Sequence, residues 1–93
     1  MTLLLKDPDA TLDYLIDWGS DYLSDDVLET SNWSVDPVEA GGVAVEASSA
    51  DLLVATVNVS GGIAGRRYRL TNHVVTASGR ADSRSITLRV EKR

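Results

Sequence analysis

Ninety-three residues carrying a net charge of −5 and no cysteine describe one small domain with no disulfide framework, no thiol nucleophile and no thiolate metal cage. The acidic balance argues against nucleic acid as the main partner, because phosphate recognition rests on a basic face. No apolar run exceeds a few residues. Leu3 to Leu5 is too short for a membrane span and, with Lys6 after it, lacks the basic start and long apolar middle of a signal peptide, so the chain reads as soluble and unprocessed.

In chain order, Met1 to Lys6 forms a short apolar edge strand or arm. Asp7-Pro8-Asp9 ends it, since Pro8 has no amide hydrogen and restricts Asp7. Leu12, Tyr14, Ile16 and Trp18 alternate with Asp13, Leu15 and Asp17, the period of two that marks a half-buried strand. Residues 20 to 26 are too short for a lasting helix and too acidic for core, a loop whose Tyr22 and Leu23 are suited to cap one end of the domain. From Val27 to Val35, Val27, Trp33 and Val35 share one parity, and Thr30, Asn32 and Ser34 the other. Trp33 is expected to pack between two sheets, against the strand from Leu53 to Val59 and against Leu70. A chain without phenylalanine has few other sources of large apolar area.

Asp36-Pro37 closes that strand and Gly41-Gly42 turns the chain. Val43 and Val45 begin a short strand that Ser48, Ser49 and Asp51 interrupt. Leu53, Ala55, Val57 and Val59 then alternate with Val54, Thr56 and Asn58 up to Ser60-Gly61-Gly62, where the glycines suit a hairpin turn. Beyond it, Tyr68, Leu70, Val74 and Thr76 oppose Arg67, Arg69, Thr71 and His73. The entry Gly65-Arg66-Arg67-Tyr68-Arg69-Leu70 has the form of a tyrosine corner, whose phenol packs at a sheet edge with its hydroxyl bonded to backbone upstream. Antibody domains carry a cysteine two residues after that tyrosine. Here the position is Leu70, so apolar packing closes the core. Ser78-Gly79 leads to a last strand with Ile86, Leu88 and Val90 opposite Ser85, Thr87 and Arg89.

Six or seven short strands, with no stretch of ten or more residues carrying an apolar stripe at helical spacing, place the chain in the all-β class. The expected fold is a single immunoglobulin-like β-sandwich of about seven strands over residues 1–93, with a small closed barrel as the alternative. Charge is uneven along it. Residues 1–46 hold eight Asp and three Glu against Lys6 alone, whereas residues 47–93 hold three acids against eight Lys and Arg. Such asymmetry suits charged faces that meet other proteins, and equally suits solvated edges and loops.

Signals for chemistry are mostly absent. His73 is the sole histidine, lies on the polar parity, and has no Gly-x-Ser-x-Gly nucleophile motif to serve. Gly61, Gly62 and Gly65 lack the Gly-Lys-Ser/Thr and following helix of a phosphate loop. Asp7, Asp9, Asp21, Asp25 and Asp26 offer oxygen ligands for calcium at one end of the domain or the other, but their spacing fits no EF-hand loop. Solvated loop acids are the default, and the chain is expected to be no enzyme and to need no cofactor.

Three segments carry a family likeness. Lys6-Asp7-Pro8-Asp9-Ala10-Thr11-Leu12-Asp13-Tyr14 with Asp17-Trp18 is the first, and the second runs from Ser60 through Gly61-Gly62-Ile63-Ala64-Gly65 to Leu70. The third is Thr76-Ala77-Ser78-Gly79-Arg80 with Arg84-Ser85-Ile86-Thr87-Leu88-Arg89-Val90. In this order they resemble the small tailed-phage proteins called fiber-tail adaptors. The chain departs from that pattern where Tyr22-Leu23 replaces an expected Trp-Leu and across Pro37 to Asp51. The resemblance implies a non-enzymatic virion structural protein of the tail or neck, made in the host bacterial cytoplasm. It further implies several symmetric copies bridging a tail or connector component and a fibre, with no nucleic-acid or membrane partner. An immunoglobulin-like capsid-decoration or host-recognition module, binding capsid or carbohydrate, is the alternative.

Contact surfaces are expected at Leu3, Leu4 and Leu5 and at the loop residues Asp21, Tyr22, Asp25 and Asp26. Three consecutive leucines on a strand cannot all face the core, and an exposed apolar edge invites pairing. On this view residues 1–6 become ordered only on assembly and are dispensable for folding, while Trp33, Tyr68 and Leu70 hold the domain together.

Overall fold

The alternating pattern becomes seven strands in the computed structural model, which describes residues 2–19 and 25–92. They are β1 (Thr2–Lys6), β2 (Leu12–Asp17), β3 (Leu28–Asp36), β4 (Ala44–Ala50), β5 (Val54–Ser60), β6 (Arg67–Thr76) and β7 (Ala81–Val90). Two sheets pack face to face, a four-stranded one in the order β1-β7-β6-β3 and a three-stranded one in the order β2-β5-β4. We call them the large and the small sheet. The arrangement is a sandwich and not a closed barrel. β1 runs parallel to β7, and every other pair is antiparallel. Strand orders β3-β6-β7 and β2-β5-β4 are those of the two sheets of an immunoglobulin sandwich.

Alternation supplies the core directly. Tyr68, Leu70 and Val74 of β6, Ile86, Leu88 and Val90 of β7, and Ala55, Val57 and Val59 of β5 are all buried. Each fully buried valine or leucine contributes about 1.5–3 kcal/mol. A larger cluster surrounds Tyr68 and Leu70, and a smaller one joins Trp18, Leu28, Ala55 and Val74; Ile16 and Trp33 lie against both.

Trp33 thus faces inward, but it is only half-buried. The fully enclosed indole is Trp18. It stands just beyond β2, where the amides of Trp18 and Gly19 both donate to the carbonyl of Leu53 and fold the ring over the end of the core. Two bulges account for parities that no single alternation captures. In β3 the register shifts between Leu28 and Thr30, so Leu28 is buried while Trp33 and Val35 turn inward from the other parity. In β4 a shift between Val45 and Ala47 lets the strand run on through Ser48 and Ser49 as a polar edge, rather than stopping there.

Gly61-Gly62 does not make a hairpin. β5 and β6 belong to different sheets, so the segment crosses between them. Its glycines are required by close approach: a Cβ on Gly61 would meet the Gly42 carbonyl oxygen at 2.7 Å, and one on Gly62 would meet Val90 Cγ2 at 2.6 Å. Both also hold positive φ, 76° and 114°.

Candidate interaction surfaces

β1 ends the large sheet, so its outer backbone edge pairs with no other strand among the described residues. Leu3 and Leu5 pair in register with Thr87 and Arg89 and remain 52% and 48% exposed. Leu4 turns inward against the larger core cluster. Lys6 follows it inward and is completely buried. Its ammonium donates to three carbonyls, Ala10 at 2.6 Å, Gly61 at 2.6 Å and Asp7 at 3.0 Å, which uses its three donors. Burial pushes this ammonium below its usual pKa, and the carboxylates of Asp7 and Asp9 pull it part of the way back. The clamp binds the β1–β2 turn to the β5–β6 crossing. Residues 2–6 are therefore a strand of the lone chain, not an arm that waits for assembly to become ordered.

Beside β1, a cleft of about 280 Å³ opens between the edges of the two sheets, lined by Leu4, Tyr14, Leu15, Ile16, Arg84 and Ile86 among others. Leu15 is 59% exposed. The Tyr14 hydroxyl is buried with no hydrogen-bond partner among the described residues, and burial raises its pKa. The Arg84 guanidinium lies 4.5 Å from the centroid of the Trp18 ring, a cation–π distance.

The acidic candidates separate. Asp26 Oδ2 accepts from Ser78 Oγ at 2.6 Å and from Arg80 Nη2 and Nε at 3.1 and 3.2 Å, while Oδ1 accepts from the Val27 and Ser78 amides. The Ser78 hydroxyl, with Thr76, Val27 and Arg80 behind it, holds this carboxyl far below the ordinary carboxylate range. Asp26 therefore ties the entry of β3 to the β6–β7 hairpin, and is no idle acid awaiting a basic neighbour. Asp25 is exposed with φ 58°. Asp21 and Tyr22 lie outside the described residues.

Asp7 and Asp9 stand at the opposite end of the sandwich. Asp7 Oδ1 accepts from the Asp9 amide at 2.8 Å, and Asp9 Oδ2 pairs with Lys92 Nζ at 2.6 Å. The four calcium candidates among the described residues, Asp7, Asp9, Asp25 and Asp26, are thus split between two ends. Among the described residues, no three acidic or histidine side chains gather into a metal site. His73 is exposed on β6, with Nδ1 2.8 Å from Ser83 Oγ across the β6–β7 pair.

At that same end Tyr68 is fully buried, and its hydroxyl accepts from the Ile63 amide at 3.1 Å, five residues upstream, in tyrosine-corner geometry. It donates to Glu39 Oε1 at 2.6 Å, and Arg66 closes on Glu39 Oε2 at 3.3 Å. Burial, reinforced by Glu39, raises the phenol's pKa. Through this group the β3–β4 and β5–β6 crossings are joined. Leu70 is buried two residues on, in the same cluster.

Sequence reasoning missed two buried polar groups. Lys6 shares the parity of Leu4, which was its only inward signal. Asn72 shares the parity of Leu70 and Val74; it accepts from Trp18 Nε1 at 2.8 Å and donates to Ser31 Oγ and the Asn32 carbonyl at 2.8 and 3.1 Å.

A family model described as podophage GP4 fiber-tail adaptor protein gp77 matches residues 6–89, nearly the whole chain. No curated protein matches the sequence.

Proposed function

The chain belongs to the podophage fiber-tail adaptor family, and on that premise we propose that it joins a tail or connector component to a fibre by protein–protein contacts. It acts in several copies, as a single folded domain made in the host bacterial cytoplasm. Its β1 edge is a docking element. The observation that supports this assignment is the pair Leu3 and Leu5, half-exposed on a strand whose outer edge is unpaired among the described residues. Backbone pairing with a partner strand would supply affinity, and the two leucines would select the partner.

The test replaces both side chains together, Leu3→Glu with Leu5→Glu, and follows the chain and the fibre in purified particles beside a melting curve of the isolated domain. Both side chains face outward, so the melting temperature should hold within a few degrees. The chain or the fibre should be depleted from the particles. Particles with normal amounts of both would remove β1 as the docking edge.

A further inference from the structure

A strand laid along β1 meets two kinds of group. The Lys6 carbonyl accepts from the Glu91 amide at 2.9 Å, so the backbone of Lys6 faces β7. Successive residues of a strand turn their backbone groups to opposite sides. Leu4 therefore faces β7 as Lys6 does, and the amides and carbonyls of Leu3 and Leu5 point out from the free edge of the sheet. A segment that pairs with them places alternate side chains on the two faces of the sheet. On the outer face its side chains lie beside the two leucines. Its residue opposite Leu4 turns inward as Leu4 does, and Leu4 lines the cleft between the sheet edges.

The walls of that cleft decide which side chain it accepts. Leu4, Leu15, Ile16 and Ile86 are apolar, and the polar groups beside them are all able to donate. Ser85 Oγ is engaged with Thr71 Oγ1 at 2.9 Å, and the Arg84 guanidinium lies over the Trp18 ring. The Tyr14 hydroxyl is buried and has no hydrogen-bond partner among the described residues. A buried hydroxyl left unpaired is costly, and a bound atom that pairs it recovers that cost. No carboxylate lines the cleft, while a guanidinium does. An incoming oxygen acceptor is thus matched in both hydrogen bonding and charge, and an incoming ammonium meets a like charge.

We propose that the partner of β1 is an extended segment whose inward residue, set opposite Leu4, is Gln or Glu, and that its side-chain oxygen accepts from the Tyr14 hydroxyl. Leu3 and Leu5 then favour apolar residues on the outer face of that segment, and Tyr14 determines the inward one. This inference rests on the reading of β1 as a docking edge and adds the chemistry of what docks there.

Tyr14→Phe deletes the oxygen and keeps the ring. The isolated variant should melt at or above the wild-type temperature, because no bond within the domain is lost. Binding is followed by NMR titration of the isotope-labelled domain with capped peptides Thr-Thr-Val-X-Val-Thr-Thr, where X is Gln, Glu, Leu or Lys. Shifts in wild type should centre on the amides of Leu3, Leu5 and Leu15. The Gln and Glu peptides should bind about three- to tenfold more tightly than the Leu peptide, as one buried hydrogen bond allows, and the Lys peptide most weakly. In Tyr14→Phe the advantage over Leu should shrink to about twofold or less. Equal binding of the Gln, Glu and Leu peptides to wild type, an advantage that survives Tyr14→Phe, or no binding by any peptide would each overturn the proposal. A Tyr14→Phe domain melting several degrees below wild type would also overturn it, by showing that the hydroxyl is already bonded in the free protein. Leu3→Glu with Leu5→Glu separates the two readings. Should that variant lose every peptide while wild type does not discriminate at X, the β1 edge stands and the Tyr14 determinant alone falls; should it bind the peptides as wild type does, the edge itself is not their site.

Discussion

Replacing Asn72 by alanine removes an amide that makes three hydrogen bonds inside the sandwich. The bond from Trp18 Nε1 matters most. Both residues are fully buried, so the indole N–H is left without an acceptor, at a cost of about 1–3 kcal/mol. The bonds donated to Ser31 Oγ and the Asn32 carbonyl lie nearer the surface, where water can replace the amide, and each is worth about 0.5–1.5 kcal/mol. Allowing for relaxation, Asn72→Ala should cost about 3 kcal/mol. For a domain of this length that lowers the melting temperature by about 12–24 °C, and a protein of ordinary stability stays folded at room temperature.

A double-mutant cycle isolates the central bond. Trp18→Phe removes the donor together with some packing area, and in that background Asn72→Ala should cost about 1–2 kcal/mol less than in wild type. Denaturant titration of the four proteins gives the coupling. A value within about 0.3 kcal/mol of zero, or an Asn72→Ala cost below about 1 kcal/mol, would show that Asn72 does not anchor the indole.

Two further predictions concern buried and bridging charge. Lys6→Met keeps the aliphatic stem but strips three carbonyls of their donor, and should destabilise by about 2–4 kcal/mol; an unchanged denaturation midpoint would show that the clamp contributes nothing. Deleting residues 1–6 should then cost more than Lys6→Met, since Leu4 leaves as well. Asp26 predicts an acid-sensitive term. Its folded pKa lies below the ordinary 3.8, so its contribution is complete above that value and is lost as pH falls through it toward the folded pKa. Asp26→Asn should be clearly less stable than wild type at pH 7, and the gap should narrow steadily toward pH 2. A gap independent of pH would refute the bridge.

The fold was legible because most strands keep one parity. β5, β6 and β7 alternate without interruption, and their inward residues are those that period two selects. Where legibility fails, a local device breaks the rule. One extra residue in β3 moves the buried set from Leu28 to Trp33 and Val35, and one in β4 lets an edge strand continue through serines that resemble a loop. Period two places both indoles on inward parities, and Trp33 is favoured over Trp18 only by its likeness to the tryptophan packed between the sheets of immunoglobulin domains. The Leu53 carbonyl that holds the Trp18 and Gly19 amides belongs to a segment 35 residues away from Trp18 in sequence, and no local pattern reveals it. Lys6 and Asn72 were hidden for a related reason: a polar residue on an apolar parity is buried only where tertiary partners satisfy it, and those partners are backbone carbonyls and side chains that sequence does not position. The surface was legible only as charge asymmetry between the two halves of the chain, and the strand order interleaves those halves in both sheets.

The Lys6 clamp bears on how an edge such as β1 can dock. A five-residue arm that ordered only on contact would lose about 1–2 kcal/mol of backbone entropy per residue at that moment, so roughly 5–10 kcal/mol of the interaction would go into ordering. Here β1 is already a strand, held by its ladder to β7, by Leu4 in the core and by three carbonyls around Lys6. The ordering cost is met during folding, and a partner strand meets a rigid template, which favours affinity in the way that preorganisation does elsewhere. The same rigidity has a consequence for the free protein. An ordered edge bearing two half-exposed leucines pairs with any suitable strand, so before assembly it has to be kept short, as its five residues are. Extending β1 with further apolar residues should therefore raise nonspecific association of the isolated chain before it improves docking.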